Sequence, residues 1–103
     1  MQIKDNEGGQ GGLLKALHIK VAGRVQGVWF RAGTQKAAQD LDLAGWVRNM
    51  PDGAVEIHIQ GEKTSVDRLL SWCYHGSCGA RVDKVDFNET EVDPLLKGFS
   101  IRY

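Results

Sequence analysis

The stretch LKALHIKVAGRVQGVWFRAGTQKAAQDL, residues 14–41, changes its hydrophobic period halfway along. Leu17, Ile19 and Val21 alternate with His18, Lys20 and Ala22, the two-residue period of a half-buried strand that ends at Gly23. RVQGVWF, residues 24–30, keeps no period and reads as a loop. From Phe30 onward, Thr34, Ala37, Ala38 and Leu41 recur at the spacing of one helix face. Strand, loop and helix therefore follow one another within one short stretch. Downstream, Ala44 to Asn49 suits a second strand, and Met50-Pro51-Asp52-Gly53 is turn chemistry. Val55, Ile57 and Ile59 alternate again and complete a β-hairpin. Thr64 or Ser65 can cap a second helix with the face Val66, Leu69, Leu70 and Cys73, ended by Gly76 and Gly79. Val85 and Phe87 mark a fourth strand; Phe99, Ile101 and Tyr103 mark a short last one. The order β-α-β-β-α-β plus a final strand predicts an α+β fold, the ferredoxin-like split βαβ sandwich. Its sheet is expected to be antiparallel, with both helices on one face and the first and third strands in the middle.

A chain of 103 residues suffices for one domain and not for two. Residues 1–13, which include Gly8, Gly9, Gly11 and Gly12, read as a flexible N-terminal tail, and residues 14–103 as the domain. No apolar run approaches the roughly 18 residues that span a bilayer, and the N-terminal residues lack the apolar stretch of a signal peptide. A cytoplasmic protein with no membrane partner is expected. Basic and acidic residues number 13 each, which argues against a general nucleic-acid binder. An RNA binder of this fold would also carry aromatics on its central strands, and residues 14–22 and 54–60 have none. No long apolar edge asks for a dimer, so a monomer is expected. Cys73 and Cys78 read as thiols; with His75 between them they make only a weak metal signal, since structural zinc takes four ligands.

The neutral total hides a polarised chain. Residues 13–39 carry Lys15, Lys20, Arg24, Arg31 and Lys36 and no acid, whereas residues 83–93 hold five acids against one lysine. The start of the first helix has a second peculiarity. A helix leaves its first N–H groups unpaired, and a Ser, Thr, Asp or Asn usually accepts one of them. No such residue stands between Gly23 and Arg31. Arg31 also puts a positive charge at the positive end of the helix dipole. Both features make sense where an outside anion caps the helix. Free N–H groups beside a guanidinium suit a phosphate, and Gly23 and Gly27 let the loop curl around it. The bland alternative is an ordinary loop beside a solvated arginine. No P-loop and no GxSxG elbow competes. His18 and His58 fall opposite the buried strand positions and read as exposed strand residues.

The segment GRVQGVWFR, residues 23–31, closely resembles the signature of the acylphosphatases. GWVRNMPDGAVE, residues 45–56, looks like the second signature of that family, and FSIRY, residues 99–103, is similar to its usual C-terminal strand. The resemblance covers nearly all of residues 14–103. It departs at residues 75–80, where Ser77 and Cys78 follow Gly76 in place of the frequent Gly-Pro. Because the chain ends at that strand, it is expected to be free-standing.

The resemblance implies hydrolysis of the carboxyl-phosphate bond of acyl phosphates, with no metal and no cofactor. It also implies that Arg31 binds the phosphate and that Asn49 orients the attacking water. Gly23, Arg24, Val25, Gln26, Gly27 and Val28 are then the phosphate cradle. Read alone, Asn49 is as well suited to the Pro-Asp-Gly turn. Arg24, Lys20 and Lys36 are expected to steer anions, and Trp29 to wall the pocket or join the core. A non-catalytic module that binds acyl phosphates or other anions is the competing reading. An acyl phosphate expels a carboxylate, which departs without a proton, so positioning and positive charge carry the reaction. The rate is then expected to be flat across about pH 5.5 to 7.5.

Overall fold

The structure is a computed structural model that describes residues 13–103. The expected tail, apart from Leu13, lies outside the described residues. Alternation of apolar residues builds the strands β1 (Leu14–Arg24), β2 (Ala44–Asn49), β3 (Val55–Glu62), β4 (Arg81–Thr90) and β5 (Phe99–Arg102). Helices α1 (Phe30–Asp40) and α2 (Lys63–Cys73) follow β1 and β3. The sheet order is β4-β1-β3-β2-β5, with β1 and β3 inside the sheet as the split βαβ pattern predicts.

One face of the sheet carries the core. Leu17, Ile19 and Val21 of β1 lie opposite Ile59, Ile57 and Val55 of β3 and are sealed from water. Val66, Leu69 and Cys73 of α2 and Phe30, Thr34 and Ala38 of α1 are buried as well. The other face keeps His18, Lys20, Glu56, His58, Trp46 and Arg48, the intervening residues of the same strands. Of that face, Gln60 is buried because residues 91–98 run beneath it. Its amide Nε2 donates to the Asp93 carbonyl at 2.8 Å, and its Oε1 accepts from the Asp93 N–H at 2.9 Å.

The sheet departs from the expectation in one strand. Each hydrogen-bonded pair among β4, β1, β3 and β2 is antiparallel, but β5 pairs with β2 in parallel, Gly45 opposite Phe99 and Val47 opposite Ile101. The cause is topological. β4 runs down one edge, the chain crosses under the sheet, and β5 must climb the far edge in the direction of β2. The sheet is therefore mixed. This reversal matters for the site, because it brings the end of β5 to the same rim as the end of β2 and the start of α1. The second expectation to change concerns α2. Thr64 and Ser65 lie inside the helix, not at its cap, which is Glu62 in an extended conformation with no side-chain bond. β3 runs directly into α2, and the Lys63 N–H is satisfied by the Leu13 carbonyl at 3.0 Å.

Candidate active site

β1 does not stop at Gly23. A bulge between Ala22 and Gly23 shifts its register against β4, and the strand continues to Arg24 opposite Arg81. Gly23 has φ 133°, and a Cβ there would stand 2.2 Å from the Arg81 carbonyl oxygen. Its role is close strand packing at a bulge. The loop then turns across the sheet rim. Gln26 anchors its middle, donating from Nε2 to the carbonyls of Met50 and Ala54, both at 2.8 Å. That bond ties the loop to the turn after β2 and so sets Asn49 beside it. The Ser77 hydroxyl holds the far end by donating to the Val28 carbonyl at 2.8 Å. Gly27, at φ 74°, makes the tight bend that a side chain would resist.

α1 starts at Phe30, whose buried ring packs on Trp72 with centroids 5.3 Å apart. The residue before it, Trp29, is the N-cap in a left-handed conformation, and no side chain caps the helix. Arg31 follows. Its Nη1 donates to the Arg102 carbonyl at 3.5 Å, and its guanidinium lies over the Tyr103 ring, 4.8 Å from the centroid. Asn49, the last residue of β2, closes the arrangement. Its Oδ1 is buried and meets no hydrogen-bond donor among the described residues. An unpaired buried acceptor costs about 1–3 kcal/mol, so this atom marks a place where a donor belongs.

These groups line one cleft of about 370 Å³. Of the residues expected in the site, it brings together Val25, Gly27, Arg31 and Asn49. Gly23, Arg24, Gln26 and Val28 stand outside its lining: the first two end β1, and the others brace the loop. Trp29 and Tyr103 line the cleft too. The sequence reading left Trp29 between wall and core, and its 84% exposure settles that it is outside the core. Tyr103 reads in the sequence only as part of the last strand; it lies just past β5, and its place at the cleft depends on the parallel pairing of that strand, which alternation does not reveal.

The basic stretch is less free than its composition suggests. Lys15 pairs with Asp67 at 3.0 Å, Lys20 with Asp52 at 2.8 Å and Lys36 with Asp40 at 3.0 Å. Arg31 faces the cleft with no acid paired to it among the described residues. Lys20 and Lys36 thus lose much of the steering role expected of them. Asp52 also accepts the Ala54 N–H at 3.0 Å, and the Lys20 hydrogen bond holds its carboxyl below the ordinary range. The turn beside Asn49 is stiffened by both bonds. Cys73 is buried, which pushes its thiol up to about 12 and disqualifies it as a nucleophile. Among the described residues no group of three His, Cys, Asp or Glu side chains could hold a metal ion. A helix start with free N–H groups, an unpaired guanidinium and an unsatisfied amide oxygen can hold a phosphate and aim a water at it.

The acylphosphatase family model matches residues 17–101. An acylphosphatase of Methylococcus capsulatus is 48% identical over 88 residues, covering 85% of this chain and 96% of that relative. The crystal structure of acylphosphatase from Bacillus subtilis superposes with a TM-score of 0.83 at 36% identity, over 88% of this chain and 100% of the other. The structure of an acylphosphatase from Coxiella burnetii gives 0.82 at 37%, over 86% and 93%.

Proposed function

The chain belongs to the acylphosphatase family and hydrolyses the carboxyl-phosphate bond of acyl phosphates, and we propose that Arg31, the loop of residues 25–28 that follows β1, and Asn49 are the groups that do it. In this reading the phosphate sits at the start of α1. Backbone N–H groups of the loop and of the first helical turn, with Arg31, surround its equatorial oxygens. These donors are already in place, so they stabilise the spreading charge of the transition state without reorganising. The Arg102 carbonyl and the Tyr103 ring hold the guanidinium in position.

Asn49 accepts a hydrogen bond from the attacking water through Oδ1. The water oxygen bonds to phosphorus as the bond to the acyl oxygen breaks. The electron pair of that bond leaves with the carboxylate. The water proton passes to the phosphate or to solvent, since an amide has no basicity to take it. Nothing in the sequence of events asks for a general acid. A working unit of one chain in the cytoplasm goes with this reading. No described helix is long and apolar enough to cross a membrane.

The observation that carries the proposal is the unpaired, buried Oδ1 of Asn49 in the same cleft as Arg31. Hydrolysis of benzoyl phosphate in EDTA, with p-nitrophenyl phosphate as control, tests it. The wild type is expected to turn over the acyl phosphate alone. Asn49→Ala is expected to lose roughly 10²–10³-fold in kcat without a lower melting temperature, because Oδ1 forms no bond that the fold would miss. A variant that keeps its activity would remove the water-orienting role, and a folded but inactive wild type would favour a pure anion-binding module.

A further inference from the structure

Trp29 is an expensive residue for its position. Its φ of 63° is the left-handed conformation that Gly, Asn and Asp adopt with ease and bulky side chains avoid. It gives α1 no side-chain cap. The residue is 84% exposed, so the core gains little from it. Strain of this kind collects at functional sites. Tyr103, 98% exposed, stands at the same cleft, as does the half-buried Ile101. Single exposed aromatics are ordinary, but two at the mouth of one cleft form a patch with a direction.

Two kinds of side chain line the cleft. Arg31 and Asn49 are its polar side chains; Val25, Trp29, Ile101 and Tyr103 are apolar or aromatic. In-line displacement at phosphorus separates the attacking water from the leaving group by the phosphorus atom itself. With water at Asn49 and phosphate at Arg31, the lining left to the acyl group is apolar or aromatic, the Tyr103 ring lying directly against the guanidinium. A volume of about 370 Å³ is also that of a site for a small organic molecule, more than a phosphate alone needs.

We propose that Trp29, Ile101 and Tyr103 form an acyl-group subsite, which selects acyl phosphates with an aromatic or bulky apolar acyl part over small or polar ones. The inference rests on the reading of Arg31 and Asn49 as the phosphate and water ends of the cleft. Flat aromatic surface at the mouth would shield an apolar acyl group from water while the reaction proceeds at the polar end.

The test compares kcat/KM for benzoyl phosphate with that for acetyl phosphate. Trp29→Asn removes the ring while meeting the left-handed backbone, so its melting temperature is expected to equal or exceed that of the wild type. In this variant the benzoyl-to-acetyl ratio of kcat/KM is expected to fall about tenfold, the scale on which apolar pockets discriminate. Trp29→Gly, which suits the same backbone, should show the same fall, and Trp29→Phe should restore most of the ratio. An unchanged ratio in both ring-less variants, with both substrates still hydrolysed, overturns the subsite alone. A folded wild type that hydrolyses neither substrate overturns the reading of the cleft and the subsite with it.

Discussion

Gly23 and Gly27 share one signature and do different work. Both read in the sequence as residues that let the loop curl. Only Gly27 does so: it sits at φ 74°, with nothing within 4 Å of where a Cβ would stand. Gly23 sits inside β1, where a Cβ would meet the Arg81 carbonyl at 2.2 Å and the Asp83 nitrogen at 2.8 Å. Neither of those is a side-chain tip that could swing away. Gly23→Ala is therefore expected to cost roughly 3 kcal/mol or more, through disruption of the β1–β4 pairing. Gly27→Ala should cost only about 1 kcal/mol, the ordinary penalty for an alanine in the left-handed region. Urea denaturation of both variants checks this, and equal losses would contradict the packing role of Gly23. At this scale, Arg31 and Asn49 were legible because their residue types carry the chemistry. The site role of Tyr103 was not, because the carbonyl and ring that hold Arg31 come from the end of the last strand and the residue after it, some 70 positions away in the chain.

The two helices begin in different ways, and the difference separates function from fold. α2 needs no side-chain cap because β3 leads into it and Leu13 supplies a carbonyl to the Lys63 N–H. Thr64 and Ser65 were natural cap candidates by type, but an incoming strand and the Leu13 carbonyl just before β1 take the place of a capping side chain. α1 has no such substitute: its N-cap Trp29 forms no side-chain bond and its first turn carries no acid. The missing cap of α1 was visible in the sequence as an absence, and the structure keeps that absence. Binding of an anion to this end stabilises the folded state alone. Inorganic phosphate at a hundred times its dissociation constant should add about 2.7 kcal/mol, read as a rise of several degrees in melting temperature. Sodium chloride at equal ionic strength should not reproduce it. Arg31→Gln should abolish most of the phosphate-dependent rise, and a rise that survives this change would place the anion elsewhere. The parallel β5 belongs to this scale too. Phe99 and Ile101 announced a strand by alternation, but the direction of a strand is set by how the chain crosses the sheet, and no local pattern encodes that.

Across the whole molecule, the helix-free face of the sheet holds the centre together by charge. Glu56 on β3 accepts from His18 of β1 at 2.5 Å and from Arg48 of β2. One carboxylate thus joins the three central strands on the face opposite the core. Burial disfavours its charge, but the hydrogen bonds from His18 and Arg48 outweigh that and hold its carboxyl below the usual range. Asp67 is lowered as well, by hydrogen bonds from Lys15 and Lys63, and it clamps α2 to β1. The sign of the linkage is fixed by that direction. A carboxylate lowered in the folded state contributes its stability in full above its unfolded value, about 4.3 for Glu. It loses that contribution as pH falls through the lower folded value. None of these groups lines the cleft. Hydrolysis of benzoyl phosphate should therefore stay flat from about pH 5.5 to 7.5. At lower pH it should fail with unfolding, not with titration of a catalytic group. Glu56→Gln separates the two effects. At neutral pH the variant should be less stable than the wild type in urea, since a neutral amide is a weaker partner for Arg48. As pH drops below about 4 the two stability curves should converge, because the wild-type side chain becomes neutral as well. A gap that stays constant down to full protonation would mean that Glu56 acts by packing alone, and the acid limit of the enzyme would then have to be sought at the cleft.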